Sequence, residues 1–300
     1  MAISRRKFIA NAAAGLGALY LGNSIATATG LSLPAPGYDP YEQVVLGRTG
    51  IRLSRLGFGT GVNSTNRVSY LNRQDPAKAR NLLRGALERG VNFFDSADSY
   101  GTHGLVADAF QGVSRHKYVL ATKYWFSGGG IPEADKAPVI PSVERFLREL
   151  KTDYIVIVQL HCSMTKDWNT RLSEVMTDLD KLKQQGKIRA HGISNHSFES
   201  LETTASESWV DVVHVRINPF DKFMDAEHEK VMPLVEKMHR DGKGLIAMKV
   251  FGVGQFGAED RQKSLEYVVN SGFFHTLDIG FQELEQIDDV AAMGKKFSHA

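Results

Sequence analysis

One cysteine, Cys162, in 300 residues leaves no partner for an intramolecular disulfide, so the core alone must hold the fold. Charge of one sign is also scarce. The formal balance is +2, from 36 basic and 34 acidic residues, but the first 28 residues carry Arg5, Arg6 and Lys7 and no acid. The remainder has 33 basic against 34 acidic residues, a net charge of −1 that gives no electrostatic case for nucleic acid or an anionic membrane surface. The apolar run from Ala10 to Gly22 is broken by Asn11 and is shorter than the ~20 residues of a bilayer-spanning helix. No His-x-His pair marks the first strand-like run, so a barrel hydrolase using His161, His191 and His214 on a metal is a weak reading and no metal is expected. What the chain does have is 42% hydrophobic residues over a length that one large core can absorb.

Ser4-Arg5-Arg6-Lys7-Phe8-Ile9 precedes that apolar run, and the small-residue site Ala26-Thr27-Ala28 follows it. This start resembles a twin-arginine export signal, which implies cleavage after Ala28 and the twin-arginine translocation machinery as a partner. It also implies a periplasmic or otherwise exported location, with no stable membrane insertion after cleavage. Residues 29–43, with Pro34, Pro36 and Pro40, read as an extended linker. Residues 44–300 then form one domain.

That domain opens with a hairpin, Val44–Leu46 and Ile51–Leu53 around Gly47-Arg48-Thr49-Gly50. Strand-like runs follow at Leu56–Gly59, Val91–Ala97, Tyr118–Lys123, Tyr154–His161, Ile188–Asn195, Val210–Asn218, Gly244–Phe251 and Thr276–Phe281. Helix-like stretches lie between them, among them Ala77–Arg89, Ser142–Lys151, Arg171–Gln185, Glu227–Arg240 and Glu283–Met293. In Arg171–Gln185 the apolar residues Leu172, Val175, Met176, Leu179 and Leu182 form one helical stripe, whereas Tyr154–Val158 is apolar throughout. Strict alternation of this number of elements predicts an α/β fold, a single (β/α)8 TIM barrel whose bottom the hairpin caps.

At the carboxyl ends of the second, third and fourth barrel strands stand Asp95, Lys123 and His161, with Tyr100 on the loop after Asp95. Taken singly, these read as a helix cap, a snorkelling lysine and a satisfied core histidine. Together at consecutive strand ends they read as a site. An ammonium beside the phenol is expected to pull its pKa from ~10 toward neutrality, and a lysine held in a partly desolvated mouth needs Asp95 as its counter-charge. His161 can orient a carbonyl oxygen.

Phe94-Asp95-Ser96-Ala97 with Tyr100-Gly101, Ala121-Thr122-Lys123, Leu160-His161 and Gly192-Ile193-Ser194-Asn195 together resemble the aldo-keto reductase family, over the chain from about Val44 onward. The resemblance implies reduction of a small-molecule carbonyl substrate, an aldehyde or ketone, by hydride from NADP or NAD. By it, Tyr100 is the general acid, Lys123 tunes it, Asp95 holds Lys123 and may reach the nicotinamide ribose, and His161 orients substrate. Ser194 and Asn195 would bond the nicotinamide carboxamide, and the loop from Gly252 would cover the pyrophosphate.

Several positions depart from the family pattern. His214 stands where the family often has glutamine, and Met248 where it usually has a stacking aromatic. Gly280 and Gln286 stand where basic residues meet the 2′-phosphate of NADP, with Glu283 and Glu285 nearby, which shifts weight to NAD. Asp289 keeps an acid near the adenine, and Lys249 is the local cation that could answer a phosphate. A second reading follows, an exported binding protein on the same barrel with weak or lost reductase activity. Gly252-Val253-Gly254-Gln255-Phe256-Gly257, with Asp278 downstream, also fits a dinucleotide fingerprint, but it follows a seventh strand and not a first. The family's C-terminal substrate loop is short here, so specificity is expected from residues 61–76 and from 124–138, where Trp125, Phe126 and Gly128–Gly130 suggest a lid. Cys162 reads as packing.

Overall fold

The computed structural model describes residues 38–297; the export-signal expectation and the linker as far as residue 37 lie outside the described residues. Tyr38, inside the expected linker, is buried, and its hydroxyl donates to the Arg55 carbonyl at 2.9 Å.

Two short strands, β1 (Gln43–Val45) and β2 (Arg52–Ser54), pair antiparallel around a 3-10 turn at Gly47–Thr49. Eight parallel strands then close a barrel, each hydrogen-bonded to the next in chain order and the last to the first. They are β3 (Leu56–Gly59), β4 (Phe93–Asp95), β5 (Val119–Tyr124), β6 (Ile155–Ser163), β7 (Ile188–Asn195), β8 (Val212–Arg216), β9 (Gly244–Met248) and β10 (Thr276–Ile279). The outer ring is α1 (Pro76–Glu88), α2 (His103–Ala109), α3 (Val139–Glu149), α4 (Trp168–Arg171), α5 (Ser173–Gln184), α6 (Phe198–Ser206), α7 (His228–Arg240), α8 (Ala258–Asn270) and α9 (Leu284–Gly294). The barrel and its leading hairpin are as the sequence predicts. None of the described helices is long and apolar enough to cross a membrane.

Strand alternation sorts the core into two layers. Phe58, Phe94, Leu120, Val158, Leu160, Val213 and Leu277 face the helices. Phe93, Val119, Ala121, Ile157, Ala190, Val212 and Ile246 fill the interior, joined from below by Leu46, Ile51 and Leu53 of the hairpin. The hairpin therefore plugs the amino end of the barrel. Continuing the interior parity toward the other end reaches Asp95, Lys123, His161, His214 and Asp278, so the same alternation that builds the core delivers polar groups to the mouth.

Candidate active site

Lys123 and Asp95 form a buried ion pair on the adjacent strands β5 and β4, their side chains 2% and 1% exposed. The Lys123 Nζ also donates to the Ser96 carbonyl at 3.1 Å and lies 5.0 Å from the centroid of the Tyr100 ring. Burial disfavours the ammonium, but Asp95 and Tyr100 overcome it and hold the Lys123 pKa above its ordinary value. The expected pull on Tyr100 does not win. Burial outweighs Lys123 and pushes the phenol up to about 12, because a phenolate here would lose its hydration and face Asp95 and Asp278. Tyr100 thus keeps its proton at neutral pH.

The 3-10 turn Asp98–Tyr100 fixes the phenol. Asp98, 2% exposed, accepts from Arg67 at 2.5 Å and from Arg145 at 2.7 Å. Arg145 also pairs with Glu149 at 2.8 Å, and Glu149 meets His103 at 2.7 Å. On the other side, a Cβ on Gly61 would fall 2.4 Å from the Tyr100 ring, so the chain can pass flat against the phenol only without a side chain there. Nothing but the charges themselves marks this clamp along the chain, because Arg67 and Arg145 come from distant segments.

His161 sits edge-on to Tyr100, with ring centroids 5.5 Å apart, and edge-on to Trp125 at 5.2 Å. Its Nδ1 pairs with the Ser99 hydroxyl at 3.3 Å. Burial, then Lys123 and Lys249, press its pKa well below the usual histidine value, so the ring is neutral. Asp95, Tyr100, Lys123 and His161 are therefore brought together. Ser99 was not singled out from sequence, although it lies in the same motif.

The residues expected around a cofactor spread over β7 to α9. Asn195 accepts through Oδ1 from Ser200 at 2.6 Å and Thr204 at 2.9 Å, while its buried Nδ2 has no acceptor among the described residues. An amide donor left unmatched at a strand end fits the carbonyl of a nicotinamide carboxamide. Ser194 is occupied, its Oγ accepting from the Cys162 backbone at 3.0 Å. His214 is fully buried, with Nε2 3.6 Å from Asp95 and 3.7 Å from Asp278. Met248 is 8% exposed at the end of β9. Lys249 follows it in a left-handed backbone conformation, φ 62°, with its carbonyl accepting from Asn218 at 3.3 Å. Burial and then Arg216 lower its pKa.

Gly252 opens a 3-10 turn after β9, and Gly280 is exposed just past β10. Gln286 is committed to its own helix: its Oε1 accepts from the Gln282 backbone at 2.7 Å, and it closes a capping box with Glu283. Asp289 is exposed on α9. Glu283 pairs with Lys78 at 2.6 Å, so the acid noted near the expected phosphate position already has a cation. Arg216 and Asp225, not singled out from sequence, form a further buried pair at 3.5 Å, with burial raising the Asp225 pKa to about 6.

Fold and site together define a single-barrel protein whose carboxyl-end mouth gathers a buried Lys123–Asp95 pair, the Tyr100 phenol and a neutral His161. The aldo/keto reductase family model matches residues 55–290, and the chain belongs to that family. Aldo-keto reductase YhdN of Bacillus subtilis is 30% identical over 200 residues, covering 64% of this chain and 57% of the relative. The NADH-specific methylglyoxal reductase of Escherichia coli is 25% identical over 206 residues, covering 62% of each. The chain thus spans about three-fifths of the length of these relatives. Among solved structures, a putative aldo-keto reductase from Pseudomonas aeruginosa superposes with a TM-score of 0.70 at 25% identity, covering 85% of this chain and 94% of that one.

Proposed function

We propose that this protein reduces an aldehyde or ketone to an alcohol with hydride from a nicotinamide cofactor. The observation that carries the reading is the protonated Tyr100 phenol seated over the buried Lys123–Asp95 pair. The bound nicotinamide supplies the hydride. The chain supplies the rest: with the Ser99 hydroxyl donating to Nδ1 of His161, Nε2–H is left to hold a carbonyl oxygen, and Tyr100 gives that oxygen its proton as charge develops on it. Trp125, edge-on to His161, walls the carbonyl from water. Asn195 would hold the carboxamide through its unmatched Nδ2.

NAD fits better than NADP, since Gly280 and Gln286 bring no cation and Lys78 is paired with Glu283. The relative named as an NADH-specific methylglyoxal reductase is in keeping with that choice and with a small carbonyl substrate. Tyr100→Phe should lower kcat for carbonyl reduction by at least ~100-fold, the range of a lost general acid, with calorimetric NADH affinity unchanged and tighter than that for NADPH. Unchanged turnover in that variant would sink the mechanism.

A further inference from the structure

The charge of Asp278 is felt at the Tyr100 phenol, yet the proposed reaction gives this residue no role. It stands on β10, which neighbours β3, and β3 neighbours β4 with Asp95. Between them, in register with Asp95, is Gly59. A Cβ there would fall 2.5 Å from the Asp278 carboxylate, so the two acids approach each other across a position on β3 that has no side chain.

Carboxylate oxygens of Asp95 and Asp278 and Nε2 of His214 all come within 4.8 Å of one another. As two ionised carboxylates they would be poorly satisfied: Oδ1 of Asp95 and Oδ1 of Asp278 have no hydrogen-bond donor among the described residues, and neither ring nitrogen of His214 has a partner. His214 does not neutralise them, because 3.6 and 3.7 Å are too long for hydrogen bonds. Its pKa is also held well below the usual value by burial, Lys123 and His161.

The charged and titratable groups facing Asp278 are thus Asp95 from β4, the Tyr100 phenol from the turn after β4, Lys123 from β5, His214 from β8 and Lys249 from the end of β9, with Gly57 and Gly59 on β3 bringing none. Lys123 is bonded to the far oxygen of Asp95. Lys249 acts on Asp278 only from beyond ion-pair distance, so the one ammonium in contact leaves one negative charge of the pair without a contacting cation in a buried site, and a proton between the two carboxylates gives both orphaned oxygens a partner.

We propose that Asp95 and Asp278 share one proton across Gly59 and that this pair re-protonates Tyr100 through Lys123. The relay rests on the reductase reading; the shared proton does not. When Tyr100 has given its proton to the carbonyl oxygen, the phenolate takes one from Lys123 Nζ, Lys123 takes the proton held between the carboxylates, and the pair regains one from water. Asp278 is the member that meets water, its side chain 13% exposed against 1% for Asp95 and 0% for His214. Burial and the neighbouring Asp95 charge push the Asp278 carboxyl up to about 8, consistent with its holding the proton at neutral pH.

The test is carbon-13 NMR of the full-length protein labelled at aspartate carboxyls, titrated from pH 5 to 10. One buried carboxyl should keep its acid-form shift at pH 7 and titrate near 8, and Asp278→Asn should remove that signal. In the kinetic arm, wild-type kcat for reduction should fall about tenfold per pH unit above that point, as for a single ionisation, and the Asp278→Asn profile should lack this limb. No aspartate protonated at pH 7 in the wild type overturns the shared proton, whether or not the variant folds. So does stoichiometric divalent metal in the purified protein that leaves with Asp278→Asn. A protonated carboxyl with identical pH profiles in wild type and variant overturns the relay. Failure of the reductase reading shows instead in Tyr100→Phe.

Discussion

At Glu149 three groups meet: the carboxylate, the His103 ring and the Arg145 guanidinium, which passes the connection on to Asp98 and the turn carrying Tyr100. Burial alone would raise the Glu149 pKa, but the hydrogen bonds from His103 and Arg145 overcome it and bring it down to about 2. A depressed carboxyl contributes stability that is present above its unfolded value of ~4.5 and is lost as pH falls through 2. Glu149→Gln should therefore destabilise the protein by roughly 1–3 kcal/mol at pH 7, seen as a lower urea midpoint, and the difference from wild type should shrink by pH 2 to 3. A midpoint unchanged at pH 7 would remove Glu149 from the clamp. Little of this was legible in the chain. Asp95, Tyr100, Lys123 and His161 were, because each sits at or just past a strand end inside a short motif, whereas the Arg67–Asp98–Arg145–Glu149 contacts join three segments, and only Arg145 and Glu149, four residues apart on α3, follow a local pattern. Asp278 did leave a trace, an acid at the interior parity of an otherwise uncharged strand, but it drew notice only through the unrelated glycine pattern upstream.

The elements themselves were easier to read than the residues that fix the site. Strands β3 and β7 occupy the predicted bounds, Leu56–Gly59 and Ile188–Asn195, because a strand buried on both faces needs an apolar run and turn residues stop it. β4 is shorter than the predicted Val91–Ala97, since Ser96 and Ala97 already turn toward Tyr100. The helix-like stretch Arg171–Gln185 is α5, Ser173–Gln184, and Leu172 separates it from the short α4, Trp168–Arg171, which the apolar stripe did not reach. The hairpin's role is set by Leu46, which is fully buried among Phe93, Val119, Ile157 and Ile246. Leu46→Ala opens a cavity at the amino end of the barrel and should cost about 2–5 kcal/mol by urea denaturation, with kcat changed less than about twofold because the mouth lies at the other end. Loss of activity at full stability would argue that the plug acts on the site directly.

For the molecule as a whole, the features reported above act on opposite ends of one barrel. The carboxyl-end mouth gathers Asp95, Tyr100, Lys123 and His161, while the amino end is stopped by Leu46, Ile51 and Leu53. The barrel is a cup with a single rim. On the proposed function, both reactants of the hydride transfer must therefore come and go over the same edge, and whichever lies deeper has to be seated first and released last. Asn195, fully buried where the carboxamide is expected, makes the dinucleotide the deeper guest. Turnover should accordingly be ordered, with the oxidised cofactor competing against the reduced one and the alcohol not doing so in product-inhibition kinetics. A random pattern would mean that the two guests pass each other in the cup, and the hairpin floor would then set stability without setting sequence.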